Sequence, residues 1–254
     1  MKLDWFDFNL YLGRPFRPVF GAVPDAAALQ AELRRRGIGR ALVWHIAQHD
    51  NFPGTGNRLL ADELKGKNNL FGCWVVLPPQ TGEIIGPDFF PAMRRRRIRA
   101  LRLFPESHHF LLNRTVFGRF FDEVSERKIP VLLSTMKRGK GVGWPDIYSF
   151  LAEYPKLTCV LCDIGIWGVN RYTWPLLERY PKLYLETSCL ALEAGGLDAG
   201  LARFGPERFL FGSGFPERYP EASQLPLVHA AVSESGRRLV AAGNAEKLLA
   251  EVEL

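Results

Sequence analysis

Short apolar runs alternate with helical patterns along the chain, and this alternation predicts a parallel β/α fold. Most of the runs are continuous and rich in valine, isoleucine and leucine, as expected for parallel strands that are covered on both faces. Eight runs are predicted as strands: Leu3–Leu12, Ala41–His45, Leu70–Leu77, Ile98–Phe104, Pro130–Thr135, Leu157–Cys162, Leu183–Thr187 and Phe209–Phe211.

Helical patterns fill the intervals between these runs. Asp25 is a predicted N-cap for a helix over Ala26–Arg36, and Gly37 is its predicted stop. Val116–Lys128 carries four apolar residues on one helical face and ends before a proline. Four shorter helices are predicted over Pro145–Glu153, Tyr172–Arg179, Leu197–Phe204 and Ala245–Val252.

An internal sequence repeat supports a single barrel of eight β/α units. The sequence Tyr-Pro-Lys-Leu occurs at 154–157 and again 26 residues later at 180–183, each time between a helix pattern and a strand pattern. One β/α unit per 26 residues is close to what an eight-stranded barrel of this length requires. We therefore predict a single (β/α)8 TIM barrel domain over residues 1–254. The alternative, a doubly wound open sheet, normally shows a glycine-rich loop after its first strand, whereas this chain has Leu12-Gly13-Arg14-Pro15 there.

Composition narrows the class of protein. The chain has 254 residues, of which 47% are hydrophobic, and a net charge of +6. The charge is concentrated in Arg34–Arg36 and Arg94–Arg97, each at the end of a helical pattern, so we expect solvated helix ends and no nucleic-acid partner. No apolar run is long enough for a membrane span, and the four cysteines suit buried reduced thiols. We expect a cytoplasmic protein.

Polar residues at the strand ends are the candidate site, because a parallel barrel builds its sites at the carboxyl ends of its strands. His45 and Asp163 are candidates for proton transfer, although a hydrogen-bonded histidine and a turn-capping aspartate are the alternatives. The candidate substrate-binding residues are Asn9, Tyr11, Arg102, Ser134, Glu186, Ser188 and Gly214.

Arg102 interrupts an apolar strand and needs a partner, for which Glu186 is the candidate. The pair is either a structural ion pair or a means of presenting the guanidinium to a substrate carboxylate or phosphate. Ser134 and Ser188 lack a Gly-x-Ser-x-Gly motif, which argues against a serine hydrolase built on them. Lys137–Gly141 is similar to a phosphate loop in composition only, and we expect it to form a mobile basic lid.

Several motifs together resemble the amidohydrolase-related proteins of the amidohydrolase 2 type. They are Asp7–Gly13, Ile98–Leu103, Tyr180–Ser188, Gly205–Pro216 and Gly243–Glu246. The resemblance covers nearly the whole chain and implies a TIM barrel, usually a metal-dependent hydrolase or decarboxylase, often dimeric.

The same resemblance implies metal ligands that this chain lacks. The histidine pair of the first strand falls at Asn9 and Tyr11, the later histidines fall at Ser134 and Asp163, and the aspartate after strand eight falls at Gly214. A catalytic zinc needs about three imidazole, thiolate or carboxylate ligands. We therefore expect no catalytic metal and no cofactor at this position.

Three functions remain open at this point. The first is a metal-independent hydrolase or lyase that acts on a small anionic substrate. The second is a barrel that binds a small molecule without catalysis. The third, a conventional metallohydrolase, is disfavoured because none of the five histidines stands at a position where the resemblance implies a metal ligand.

Overall fold

A computed structural model describes residues 3–135, 141–164, 171–190 and 195–254. Its eight strands form one sheet in the order of the sequence, and each strand pairs in parallel with the next. The strands are β1 Trp5–Leu12, β2 Ile38–His45, β3 Leu70–Val75, β4 Ile98–Leu103, β5 Val131–Ser134, β6 Cys159–Cys162, β7 Leu183–Glu186 and β8 Phe209–Leu210. Each of the eight predicted strands is confirmed.

Backbone hydrogen bonds close the sheet into a barrel between β1 and the end of β8. Phe8 N donates to Phe211 O over 2.9 Å, and Gly214 N donates to Asn9 O over 2.8 Å. The pairing of β1 with β2 shifts register between Asp7 and Leu10, which changes the alternation of side chains just where the strand approaches the barrel mouth. The fold is therefore the predicted TIM barrel.

Helices follow the strands in the described part of the chain. They are α1 Ala26–Arg35, α2 Ala47–Asp50, α3 Pro53–Glu63, α4 Phe89–Arg95, α5 Arg114–Phe117, α6 Phe120–Glu126, α7 Trp144–Glu153, α8 Thr173–Arg179, α9 Gly196–Phe204, α10 Glu221–His229, α11 Glu234–Arg238 and α12 Asn244–Ala250. None of the described helices is long and apolar enough to cross a membrane.

Local sequence signals explain most of these boundaries. The Asp25 side chain accepts a hydrogen bond from Ala28 N, which caps α1, and Gly37 ends the helix with a φ of +70°. The single helix predicted over Val116–Lys128 is wrong. Gly118, with a φ of +54°, divides it into α5 and α6, because the left-handed backbone there cannot continue a helix.

The alternation of side chains along the strands produces two cores. One set of strand residues packs inside the barrel, where Phe8, Trp44, Val75, Ala100 and Leu132 belong to one cluster. The other set faces the helices in a larger cluster. Cys159 and Cys162 fall in different clusters, as expected for side chains on opposite faces of a strand, and all four cysteines are buried and free.

Candidate functional site

The side-chain amide of Asn9 is the centre of a buried polar network at the carboxyl ends of the strands. Its Nδ2 donates to Glu186 Oε2 over 2.8 Å and to Asp163 Oδ1 over 3.2 Å. Its Oδ1 accepts from Arg102 Nη2 over 2.8 Å. One uncharged side chain therefore connects two carboxyl groups and a guanidinium from β1, β4, β7 and the residue after β6.

Asp163 directly follows β6 and accepts hydrogen bonds on both carboxylate oxygens. Ser134 Oγ donates to Oδ2 over 2.5 Å, and Arg218 Nη1 donates to Oδ1 over 3.0 Å. The Asp163 backbone has a φ of +54°. This left-handed conformation costs an L-residue about 1–2 kcal/mol, although aspartate tolerates it better than most. Such strain concentrates at functional sites, where the surrounding structure holds it in place.

Glu186, at the end of β7, accepts four hydrogen bonds in the fully buried interior. Ser188 contributes its Oγ at 2.9 Å and its backbone N–H, Asp163 N donates over 3.2 Å, and Asn9 supplies the fourth bond. Burial, and then the negative charge of Asp163, raise the pKa of Glu186 from 4.5 to about 7. At pH 7 about half of the Glu186 side chains therefore carry a proton that they can donate.

Arg102 does not form the direct ion pair with Glu186 that the sequence suggested. The Asn9 amide lies between the two side chains, bonded to both, so that prediction is corrected. The guanidinium is fully buried, 5.0 Å from the ring centre of Trp44 and 5.8 Å from that of Phe104. Stacking on these aromatic faces thus provides part of the stabilisation of the buried positive charge that a carboxylate partner would have provided.

Arg218 is the functional candidate that sequence reasoning missed. It lies in the segment that follows β8, and besides Asp163 it makes no other hydrogen bond within the described residues. A Cβ added at Gly214 would come within 2.5 Å of Arg218 Nη1. The absence of a side chain at Gly214 therefore creates the space that the guanidinium fills.

The residues present do not fit the metal that the amidohydrolase resemblance implies. Within the described ranges no three His, Cys, Asp or Glu side chains are grouped so that they could hold a metal ion. An amide, two hydroxyls and a glycine stand at four of the five implied ligand positions, and the guanidinium of Arg218 contacts the carboxylate at the fifth, Asp163. A cation supplied by the protein is thus placed against the carboxylate that would otherwise bind the metal.

Two predicted residues lie beside the network. Tyr11 donates from its hydroxyl to Glu217 Oε1 over 3.3 Å and packs on Trp44 with ring centres 4.9 Å apart. His45 Nδ1 accepts from Ala47 N over 3.0 Å, and no described hydrogen bond connects the ring to Asp163. Burial lowers the pKa of His45 to about 4, so its ring is neutral at pH 7. Its role in proton transfer stays a prediction.

The remaining predicted site residues, Ser134, Ser188 and Gly214, lie in or beside the Asn9 network, as expected because the carboxyl ends of the strands converge there. Ser134 and Ser188 bond the two carboxyl groups, and Gly214 donates its N–H to the backbone of Asn9. The basic segment at 137–140 lies outside the described residues, as does most of the turn that Asp163 was suggested to cap.

A cavity of about 450 Å³ lies beside this network. It is lined by residues 19–23, by the end of α1 and by residues 215–219, so that Arg218 belongs both to its wall and to the carboxylate network. Its size is within the range of small-molecule sites. A larger described cavity, of about 900 Å³, lies on the flank of the barrel and contains no residue of the network.

The barrel and its polar mouth define a protein of the amidohydrolase class. The chain belongs to the amidohydrolase family, whose model matches residues 11–250. No curated protein matches the chain.

Solved structures share the fold at low sequence identity. An uncharacterised TIM-barrel protein from Bordetella bronchiseptica is 17% identical with a TM-score of 0.71, over 98% of this chain and 99% of its own. The 2,6-dihydroxybenzoate decarboxylase from Rhizobium is 11% identical with a TM-score of 0.75, over 98% and 99%. A probable 2-pyrone-4,6-dicarboxylic acid hydrolase from Acinetobacter baumannii, with citric acid bound, is 12% identical with a TM-score of 0.71, over 98% and 100%.

Proposed function

We propose that this protein is a metal-independent hydrolase or lyase that acts on a small anionic substrate. The observation that carries the proposal is the contact between the Arg218 guanidinium and Asp163, beside a second buried carboxyl group, Glu186, whose pKa is raised to about 7. A paired carboxylate and a protonated carboxylic acid within one hydrogen-bonded network are suited to general base and general acid roles.

Each residue has a distinct role in this proposal. Arg218 binds the anionic group of the substrate, because part of its side chain faces the cavity and its fork is bonded on one side only by Asp163. When the substrate competes for the guanidinium, Asp163 becomes available to accept a proton from the substrate or from water. Glu186 supplies a proton to the leaving group, and Asn9 holds the two carboxyl groups in register.

Similar structures support an anionic substrate as a class. The Rhizobium enzyme acts on a hydroxybenzoate, and the Acinetobacter structure holds citrate, so related barrels accommodate carboxylates. A cavity of about 450 Å³ suits a molecule of this size.

Binding without catalysis is the second candidate function. It is favoured by the engagement of both Asp163 oxygens in hydrogen bonds, which leaves that carboxylate no unbonded oxygen atom before a ligand arrives. A protein of this kind would be stabilised by an anionic ligand and would not convert it.

The two candidates are separated by a panel of small carboxylic acids, lactones and amides. Turnover in the presence of a chelator supports the enzyme. Asp163→Asn and Glu186→Gln should then abolish the turnover, and Arg218→Met should raise KM. Arg203→Met is the matched control, because Arg203 is exposed on α9 and its partners among the described residues are Glu178 and nearby aromatic rings. Thermal stabilisation without turnover supports the binder, and turnover that requires an added divalent metal contradicts the proposal.

A further inference from the structure

A serine, a histidine and an aspartate form a second chain of hydrogen bonds at the carboxyl ends of β4 and β2. Ser107 Oγ is 3.0 Å from His49 Nε2, and His49 Nδ1 is 2.8 Å from Asp50 Oδ1. Ser107 follows β4, whereas His49 and Asp50 follow β2. None of these three residues belongs to the Asn9 network, and the geometry meets the requirement of a nucleophile, a base and a residue that orients the base.

The hydrogen bonds of Asp50 fix where the histidine carries its proton. Asp50 Oδ2 accepts the backbone N–H of Phe16 over 2.8 Å, and Oδ1 is the oxygen that lies against His49 Nδ1. A carboxylate has no proton to donate, and His49 Nδ1 must therefore be the donor. The Nε2 atom is then free to accept the hydroxyl proton of Ser107, as a general base must.

Packing holds the imidazole in this orientation. Its ring meets Phe104 edge to face, with ring centres 4.8 Å apart and an interplanar angle of 85°. The side chains of His49 and Asp50 are only 11% and 6% exposed, whereas Ser107 is partly open to solvent. The base is thus oriented in advance, and the hydroxyl is accessible.

We propose that Ser107 is a nucleophile, activated by His49 and Asp50, that accepts the acyl group of a small carboxylic ester. A bond forms between Ser107 Oγ and the carbonyl carbon, while the bond from that carbon to the leaving oxygen breaks. His49 Nε2 takes the serine proton and returns it to the leaving alkoxide. Water then attacks the acyl-serine with the same base, which releases the acid and restores the serine.

Two further observations bear on the reaction. Among the hydrogen bonds of the described residues, none uses the backbone N–H of Ser107, so this N–H is available to a developing oxyanion. Phe16, Phe52 and Leu111, which follow β1, α2 and β4, are 74%, 46% and 67% exposed. We therefore choose an ester with an apolar acyl group for the test.

The test is a burst experiment with p-nitrophenyl butyrate on the intact protein. We expect a rapid release of about one equivalent of p-nitrophenol per chain, followed by slower turnover, and a butyryl group on the peptide that contains Ser107. Ser107→Ala abolishes the burst, and Asp50→Asn slows it by about 10²–10⁴-fold, because the histidine loses its orientation and its favoured tautomer. Ser235→Ala, which removes an exposed serine on α11, leaves the burst unchanged.

The same experiment excludes a purely structural role, in which the three residues only tie the loops together. That role predicts lower thermal stability in Ser107→Ala and no acylation of the wild-type protein, and absence of the burst overturns the proposal. Mapping of the butyryl group to any other residue also overturns it, and this readout on the wild-type chain is decisive even if Ser107→Ala fails to fold. The inference is independent of the function proposed for the Asp163 site.

Discussion

Substitution of Gly214 by alanine tests whether this glycine exists to make room for Arg218. The added Cβ would lie 2.5 Å from Arg218 Nη1 and 3.4 Å from Ser188 Cβ, at a backbone φ of +67°. The left-handed backbone alone costs alanine about 1–2 kcal/mol. Arg218 must also move away, which removes its 3.0 Å hydrogen bond to the buried Asp163. A hydrogen bond to a charged group contributes about 1.5–3 kcal/mol.

Gly66→Ala is the matched control for the backbone cost. Gly66 has a φ of +71°, and a Cβ added there meets nothing within 4 Å. We therefore expect Gly214→Ala to lower the free energy of unfolding by about 1.5–3 kcal/mol more than Gly66→Ala does, as measured by urea denaturation followed through tryptophan fluorescence.

A double-mutant cycle assigns this excess to Arg218. In the Arg218→Met background, where the guanidinium is gone, Gly214→Ala should cost no more than Gly66→Ala. Equal costs for the two alanine variants in the wild-type background would refute the reasoning. So would an excess that persists unchanged when Arg218 is replaced, because the clash would then lie elsewhere.

Two further predictions concern the carboxyl groups. The folded-state pKa of Glu186, about 7, is above its ordinary value of 4.5, so folding favours the protonated form and stability falls as pH rises from about 4.5 to 7. The loss in the free energy of unfolding is about 3 kcal/mol at most. Glu186→Gln should therefore make the urea midpoint depend less on pH between about 4.5 and 7. A pH dependence equal to that of the wild type would show that Glu186 does not titrate in this range. Asp163→Asn should be more stable than Asp163→Ala by about 1 kcal/mol, because asparagine tolerates the φ of +54° better than alanine does. Equal stabilities of the two variants would show that the backbone at this position is not strained.

The barrel was predictable because its strands carry a strong local signal. Continuous apolar runs bounded by helix ends locate all eight strands, and the Tyr-Pro-Lys-Leu repeat marks the same turn twice, with Leu157 N bonded to Tyr154 O and Leu183 N bonded to Tyr180 O. Helix α3 was missed because Pro53, Gly54 and Gly56 give its first turn the composition of a loop. Gly56 is nevertheless required within the helix, because a Cβ there would collide with the backbone of α2.

Only the site residues that lie on or directly after strands could be predicted from the sequence. Ser134, Asp163 and Glu186 are at strand ends and Asn9 is in the second half of β1, and the carboxyl ends of parallel strands in a barrel must converge. Arg218 lies on a loop whose path depends on tertiary packing, so no periodicity in the sequence points it toward Asp163. Loop packing likewise brings Ser107 to His49 across 58 positions of sequence.

The arginine-rich runs were located correctly from the sequence, whereas the functionally important arginine was not. Arg34 and Arg35 lie in the last turn of α1, and Arg94 and Arg95 in the last turn of α4, as the sequence indicated. Arg218 is an isolated cation that composition gives no reason to select. Its importance follows only from the carboxylate that it contacts, Asp163, which the amidohydrolase resemblance places at a metal-ligand position.

The central claim is that a guanidinium, rather than a metal ion, is the cation of this site. Elemental analysis of the protein purified without chelator tests it most directly, with Asp163→Asn measured in parallel. We expect far less than one equivalent of zinc, iron or manganese per chain, with no difference between the wild type and the variant. About one equivalent of any of these metals in the wild type, lost in Asp163→Asn, would contradict it.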